Sequence, residues 1–153
     1  MKGRKAVIYC RVSTAGQAEQ GVSLEAQEER LRAYCQMQGL DVEAVLIEEG
    51  VSATKPLHAR PMGSKLVAMV KNGTVQHVVA LKLDRLFRSS VDALSVTNEW
   101  DKAGVALHLV DMGGQSVNTS SAMGRMMLTM MAGFAQFERD LVSERTTAAL
   151  QHK

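Results

Sequence analysis

Ala6-Val7-Ile8-Tyr9-Cys10-Arg11-Val12-Ser13-Thr14 is the stretch around which the chain is organised. Its first part, Ala6 to Tyr9, is an apolar run that reads as a buried strand. A strand repeats every two residues, so Arg11 and Ser13 are expected on one face of its end. A guanidinium beside a hydroxyl combines an anion clamp with a nucleophile. Taken alone, Arg-Val-Ser also suits a strand that simply runs into a turn, so the rest of the chain has to decide between the two.

Beyond this strand, Ala15 to Gly21 reads as a small polar loop, and Ser23 stands where a helix N-cap would, with Glu25 in the first turn. Leu24, Gln27, Leu31, Tyr34, Cys35 and Gln38 then share one helical face as far as Gly39, which suits a helix C-terminus. Gln27 is the odd polar member of that face. Asp41 to Ile47 holds a second apolar run, and Glu48 to Pro61 carries the chemistry of a long loop, a feature more often functional than not. Arg60 closes that loop directly before a helix starting near Met62, whose stripe of Met62, Leu66, Met69 and Val70 ends at Asn72-Gly73.

Val75 to Leu83 reads as a third strand running into Lys82-Leu83-Asp84-Arg85-Leu86-Phe87-Arg88-Ser89-Ser90. A helix from about Val91 to Lys102 and a fourth strand from Val105 to Val110 follow. This alternation predicts an α/β fold, a mainly parallel four- to five-stranded sheet flanked by helices. Such sheets place their sites beyond the carboxyl ends of the strands. Arg11 and Ser13 follow strand one, and Asp84, Arg85 and Arg88 follow strand three, so topology alone assigns both clusters to one edge.

Asp111 to Ser120 reads as a loop and Ser121 to the end as one long helix, which divides the chain into a core over residues 1–120 and a helix over 121–153. Met123, Met127, Met130, Phe134, Phe137 and Leu141 step by four and three in a heptad seam, while Met126, Leu128, Met131 and Ala135 make the first half apolar nearly all round. A helix apolar on every side needs more partners than one small sheet supplies, which favours a subunit interface over ordinary core packing. Its second half is charged: Glu138, Arg139, Asp140, Glu144 and Arg145.

With 153 residues, 46% of them hydrophobic, the chain fits one domain with a real core. Net charge is only +2, from 18 basic and 16 acidic residues, so any polyanion site must come from local clustering. Cys10 and Cys35 have neither zinc-site spacing nor a secreted scaffold's density and read as small buried hydrophobes of a reducing cytoplasm. No stretch approaches the roughly 18 apolar residues of a membrane span, and Met1-Lys2-Gly3-Arg4-Lys5 leads into a strand too short for a signal-peptide core. His58, His77, His108 and His152 lack ligand spacing, so no metal site is expected; the nucleotide-binding glycine patterns are missing after strand one, and Gly113-Gly114 is only a turn signal.

What remains is a serine, a carboxylate and several arginines. Phosphoryl transfer without metal needs fixed cations around the extra charge on phosphorus, and a guanidinium supplies forked donors that stay charged. Arg11, Arg60, Arg85 and Arg88 are the candidates, with Ser13 as nucleophile and Asp84 for the proton that the departing oxygen requires.

Tyr9 to Thr14, Ser23-Leu24-Glu25-Ala26-Gln27, Arg60-Pro61, Leu83 to Arg88 and Phe134 to Thr146 together resemble the catalytic domain of the serine site-specific recombinases, the resolvase and invertase family. The resemblance runs nearly end to end, and the specificity lies in the order and spacing of five modest motifs. It implies that Ser13 attacks a DNA phosphodiester to give a 5′-phosphoserine link and a free 3′ hydroxyl, with neither metal nor nucleotide as cofactor. Arg11, Arg60, Arg85 and Arg88 match the family's active-site arginines, Gln27 its pocket glutamine and Asp84 its proton donor. Arg139, Glu144 and Arg145 fall in the part of the long helix that the resemblance assigns to DNA contact, and Met123, Met127, Met130, Phe134, Phe137 and Leu141 in its oligomerisation part. Implied partners are double-stranded DNA, a homodimer that becomes a synaptic homotetramer, and a directionality or accessory protein.

The loop from Ala15 to Val22 and the Ser-Ala-Thr-Lys-Pro insertion before Arg60 resemble the large serine recombinases, which include integrases and transposases. The family carries its sequence-reading domains beyond the long helix, so residues 1–153 are expected to be the catalytic part alone. Two rival readings are weaker. A purely regulatory or oligomerisation module would not need intact Ser13, Arg11, Asp84, Arg85 and Arg88, and an α/β phosphatase or nucleotide-binding enzyme would want a phosphate-binding glycine loop, a metal site or a nucleophilic cysteine.

Overall fold

The computed structural model describes residues 3–12, 23–52, 54–112 and 115–151. Strand β1, Lys5–Val12, is central: it pairs in parallel with β2, Asp41–Glu49, on one side and β3, His77–Ala80, on the other. Strand β4, Ala106–Met112, joins β3 in parallel, and β5, Gln115–Asn118, closes the edge antiparallel, giving the order β2-β1-β3-β4-β5. The chain thus leaves β1 for one side of the sheet and returns to β3 on the other, which opens a crevice between the carboxyl ends of β1 and β3.

Alternate residues of β1 enter two separate cores. Ala6, Ile8, Cys10 and Val12 pack with Leu24, Leu31, Tyr34 and Cys35 of α1, Leu24–Gln38. Val7 and Tyr9 pack on the other face, with Leu66 and Val70 of α2, Pro61–Lys71, and Ala93 and Trp100 of α4, Ser90–Lys102. Residues buried on both faces explain why β1 reads as an unbroken apolar run. Helix α1 begins as its sequence predicts, Ser23 Oγ accepting from Ala26 N at 3.1 Å, and ends on Gly39 at φ 72°, a left-handed geometry that glycine adopts without strain.

Three segments differ from the sequence reading. The third strand stops at Ala80 instead of reaching Leu83, because Leu83–Leu86 forms a short helix, α3, that turns Leu86 and Phe87 into the core. A short apolar run does not by itself distinguish strand from helix turn. The expected loop over residues 111–120 contains β5, whose Val117 packs in the core. Glu48, placed at the start of a loop, belongs to β2. The long helix is present as α5, Ala122–Gln151, and it begins tight against β5: a Cβ on Gly124 would meet Asn118 O at 1.7 Å, so only glycine fits. No helix among the described residues is long and apolar enough to cross a membrane.

The heptad seam of α5 is not the face that packs on the core. Leu128 and Ala132 are 3% and 0% exposed, whereas Met123, Met130, Phe134 and Phe137 are 63%, 63%, 61% and 56% exposed. Met127 and Leu141, also in the seam, are half-buried, and Met127 and Met131 lean against the core.

Candidate active site

The pleat that sends Tyr9 into the second core sends Arg11 the same way, and Arg11 is buried at the end of β1. Its Nη1 donates to Val51 O at 2.9 Å and its Nη2 to Asp84 O at 3.1 Å, so it ties the segment after β2 to α3 across the crevice. Arg60, fully buried, donates from Nε to Lys55 O at 3.0 Å and from Nη1 to Tyr9 Oη at 3.2 Å and Arg85 O at 2.8 Å. Arg85, 2% exposed, comes from α3. Burial, then the charges of Arg60 and Arg85, pull Arg11 below its ordinary pKa, the signature of three guanidiniums within electrostatic reach of one another.

Glu48 supports this cluster from beneath, and the sequence reading did not single it out. Arg60, the N-cap of α2, makes no side-chain cap. The buried Glu48 carboxylate replaces it: Oε1 accepts from Met62 N and Gly63 N, each at 3.0 Å, and from Tyr9 Oη at 3.2 Å. A carboxylate at a helix N-terminus is favourable for both hydrogen bonding and dipole. Tyr9 Oη thus bridges Glu48 and Arg60, and burial pushes its pKa up to about 12 against the lowering influence of Arg60. The missed signal was parity: Leu46 is a core residue of β2, and Glu48 lies one period further on the same face.

Asp84 and Arg88 are exposed at the mouth of the crevice. Both line a cavity of about 350 Å³ whose apolar side is Leu83, Phe87, Met112 and Met131. Arg139 of α5 reaches the same cavity and donates to the buried Ser90 Oγ. Gln27 is fully buried on α1, and neither of its amide atoms has a hydrogen-bond partner among the described residues. A buried amide left unsatisfied is costly, which sets this position apart from ordinary packing. Glu144 and Arg145 are exposed further along α5.

The structure therefore brings Arg11, Arg60 and Arg85 together, with Asp84 and Arg88 at the rim. Ser13 and the loop from Ala15 to Val22 lie outside the described residues. Cys10 and Cys35 are free, buried thiols, pushed up by burial to about 12 and about 11 and so poor nucleophiles. Among the described residues no three His, Cys, Asp or Glu side chains gather in a group that would hold a metal ion.

The family model for the resolvase N-terminal domain matches residues 6–153. The chain belongs to the resolvase family. Among curated relatives, the transposon Tn2501 resolvase of Escherichia coli is 33% identical over 143 residues, covering 93% of this chain and 67% of its own length. The serine recombinase PinR of Escherichia coli K12 is 29% identical over 142 residues, covering 93% and 66% respectively. The chain spans about two thirds of the length of the relatives it matches. Among solved structures, the N-terminal catalytic domain of TP901-1 integrase superposes with a TM-score of 0.73 at 36% identity, covering 90% of this chain and 98% of that one. A resolvase family site-specific recombinase from Streptococcus pneumoniae gives 0.68 at 25% identity, covering 97% of each. The fold is thus that of a serine recombinase catalytic domain, and membership of the resolvase and invertase family, expected from the sequence, holds over residues 6–153.

Proposed function

We propose that this chain is the catalytic part of a site-specific DNA recombinase, with Ser13 as its nucleophile. The observation that carries the reading is the gathering of Arg11, Arg60 and Arg85 at the carboxyl end of β1, one residue short of the segment that holds Ser13. Ser13 Oγ attacks phosphorus and gives up its proton to solvent, the bond from phosphorus to the 3′ oxygen breaks, and that oxygen takes a proton from the Asp84 carboxyl, which solvent then reprotonates. The products are a 5′-phosphoserine ester and a free 3′ hydroxyl. Reversal by a hydroxyl from another strand rejoins the backbone, and the ester conserves the bond energy, so no nucleotide is consumed. The guanidiniums neutralise the charge that grows on the phosphate oxygens, Gln27 supplies a pocket amide, and Arg88 joins at the rim.

Double-stranded DNA is the substrate in this reading, met in the cytoplasm by Arg139, Glu144 and Arg145 of α5 and by a further DNA-reading region of the full-length protein. The exposed seam of α5 pairs two copies into a dimer, and two dimers into a tetramer for strand exchange, with a directionality or accessory protein setting the outcome. The similarity to TP901-1 integrase favours the large, integrase-like branch.

In the full-length protein, Ser13→Ala should abolish covalent protein–DNA adducts and leave DNA binding nearly unchanged, since binding rests on other contacts. The same adduct assay should survive excess chelator. Wild-type adduct levels from Ser13→Ala would remove the serine from this role, and activity lost to chelator and restored by magnesium would replace the mechanism.

A further inference from the structure

Ser90 stands where the segment carrying Asp84, Arg85 and Arg88 meets α5. It is the first residue of α4 and is 5% exposed. Its hydroxyl is not needed at the helix terminus, because Ser89 is the N-cap: Ser89 Oγ accepts from Asp92 N at 3.1 Å, and Asp92 Oδ2 in turn accepts from Arg88 N at 3.3 Å. Ser90 Oγ accepts instead from Arg139 Nη2 of α5. Three consecutive residues therefore mount the rim arginine, cap α4 and dock α5.

Arg139 is an unexpected residue for the place it occupies. Leu128 and Ala132 are the buried contacts of α5, and Arg139 lies two turns past Ala132 on the same face. An apolar side chain there would extend the packing; a guanidinium ends it with a directional hydrogen bond. Beyond Arg139 no described residue of α5 is buried, and none hydrogen-bonds to the body. Ser90 is thus the outermost polar tie of the helix, whose inner end is held by Arg125 Nη1 on Thr119 O at 3.2 Å. The tie uses little of the guanidinium. No carboxylate pairs with Arg139 among the described residues, so the rest of its planar fork is left for an anion. Lys82, Arg88 and Arg139 line the adjoining cavity against one carboxylate, Asp84, which makes its mouth positive.

We propose that Ser90 is a positioning residue of the strand-cleavage reaction. By fixing Arg139 it holds that guanidinium at the cavity mouth that Arg88 also lines, so that one arginine from α5 and one from the junction of α3 and α4 close on the DNA backbone as a pair. The role rests on the recombinase reading above, which supplies the DNA. It differs from general affinity in its effect. A clamp aligned on the reacting strand bears on the rate of cleavage more than on binding, most of which is made elsewhere in the full-length protein.

The test is a double-mutant cycle in the full-length protein, read as the rate of covalent adduct formation at saturating DNA and as the DNA concentration that gives half that rate. Ser90→Ala should slow adduct formation roughly tenfold, the scale of a lost hydrogen bond to a charged group, and move half-saturation by less than about twofold. Arg139→Ala should slow it at least as much. The double variant should be no slower than Arg139→Ala, because Ser90 acts only through Arg139. Ser90→Thr, which restores the hydroxyl, should recover most of the rate. Thermal melts of Ser90→Ala should match the parent, since the cap of α4 on Ser89 is intact. Should that variant not fold, Arg139→Ala, at an exposed position, carries the rate test by itself. A parental rate in Ser90→Ala or Arg139→Ala, a full additional loss in the double variant, or a Ser90→Thr as slow as Ser90→Ala would overturn the role while leaving the serine adduct in place. A parent that forms no adduct would instead overturn the recombinase reading, and this role with it.

Discussion

Glu48 is one carboxylate with three buried donors: Tyr9 Oη, Met62 N and Gly63 N. Glu48→Ala leaves all three without that acceptor, and unsatisfied buried donors cost about 1–3 kcal/mol each before relaxation. Urea unfolding should therefore show a loss of about 3 kcal/mol or more, against a few tenths for the neighbouring exposed Glu49→Ala. A Glu48→Ala protein as stable as the Glu49 variant would show that water replaces the carboxylate. Arg85→Lys should cut adduct formation severely in the full-length protein, because a point charge cannot supply two forked donors to one phosphate. Near-normal adduct yield would mean that only its charge matters. The arginines were legible one by one in the sequence, since charged residues at strand ends are visible without coordinates. Their convergence with Glu48 was not, because Glu48, Arg60 and Arg85 reach each other only through the fold, and a loop-like composition hid the parity of Glu48 with Leu46.

At the scale of elements, α5 carries two faces with different fates. Leu128 is buried and Met130 is 63% exposed, although both sit in the same apolar run. Leu128→Ala should destabilise the fold by about 2–5 kcal/mol, whereas Met130→Ala should leave stability within about 0.5 kcal/mol and weaken self-association. Sedimentation over a concentration series combined with thermal melts separates the two, and equal association of parent and Met130→Ala would exclude that residue from the interface. The helix periods and caps were readable, as Ser23 and Gly39 illustrate. Strand β5 and helix α3 were not. Both are only four residues long, too short for a period to declare itself, and both are fixed by what they pack against.

For the molecule as a whole, net charge is only +2 because 16 acidic residues nearly balance 18 basic ones, and the arginine cluster is buried, so the exposed cations are largely offset by neighbouring carboxylates. The isolated 153 residues should bind DNA weakly, with little sequence preference and a shallow salt dependence, because backbone contacts set affinity while base contacts specify. A tight, sequence-specific complex in a mobility-shift titration would assign base reading to this part. The parallel α/β class could be read in advance from the alternation of apolar runs and amphipathic stretches, since a strand buried on both faces leaves a plain mark. The order of the strands could not, because pairing partners far apart in sequence leave none.

The position of β1 has a consequence for how the chain is made. Its partners β2 and β3 begin at Asp41 and His77, so β1, synthesised before either of them, waits for both neighbours. Through that interval Ala6 to Cys10, all fully buried in the finished protein, are an unpaired apolar edge open to wrong partners. Late closure of this kind is slow compared with local helix formation. The polypeptide is thus most open to wrong strand pairing during synthesis, in the interval before β3 arrives.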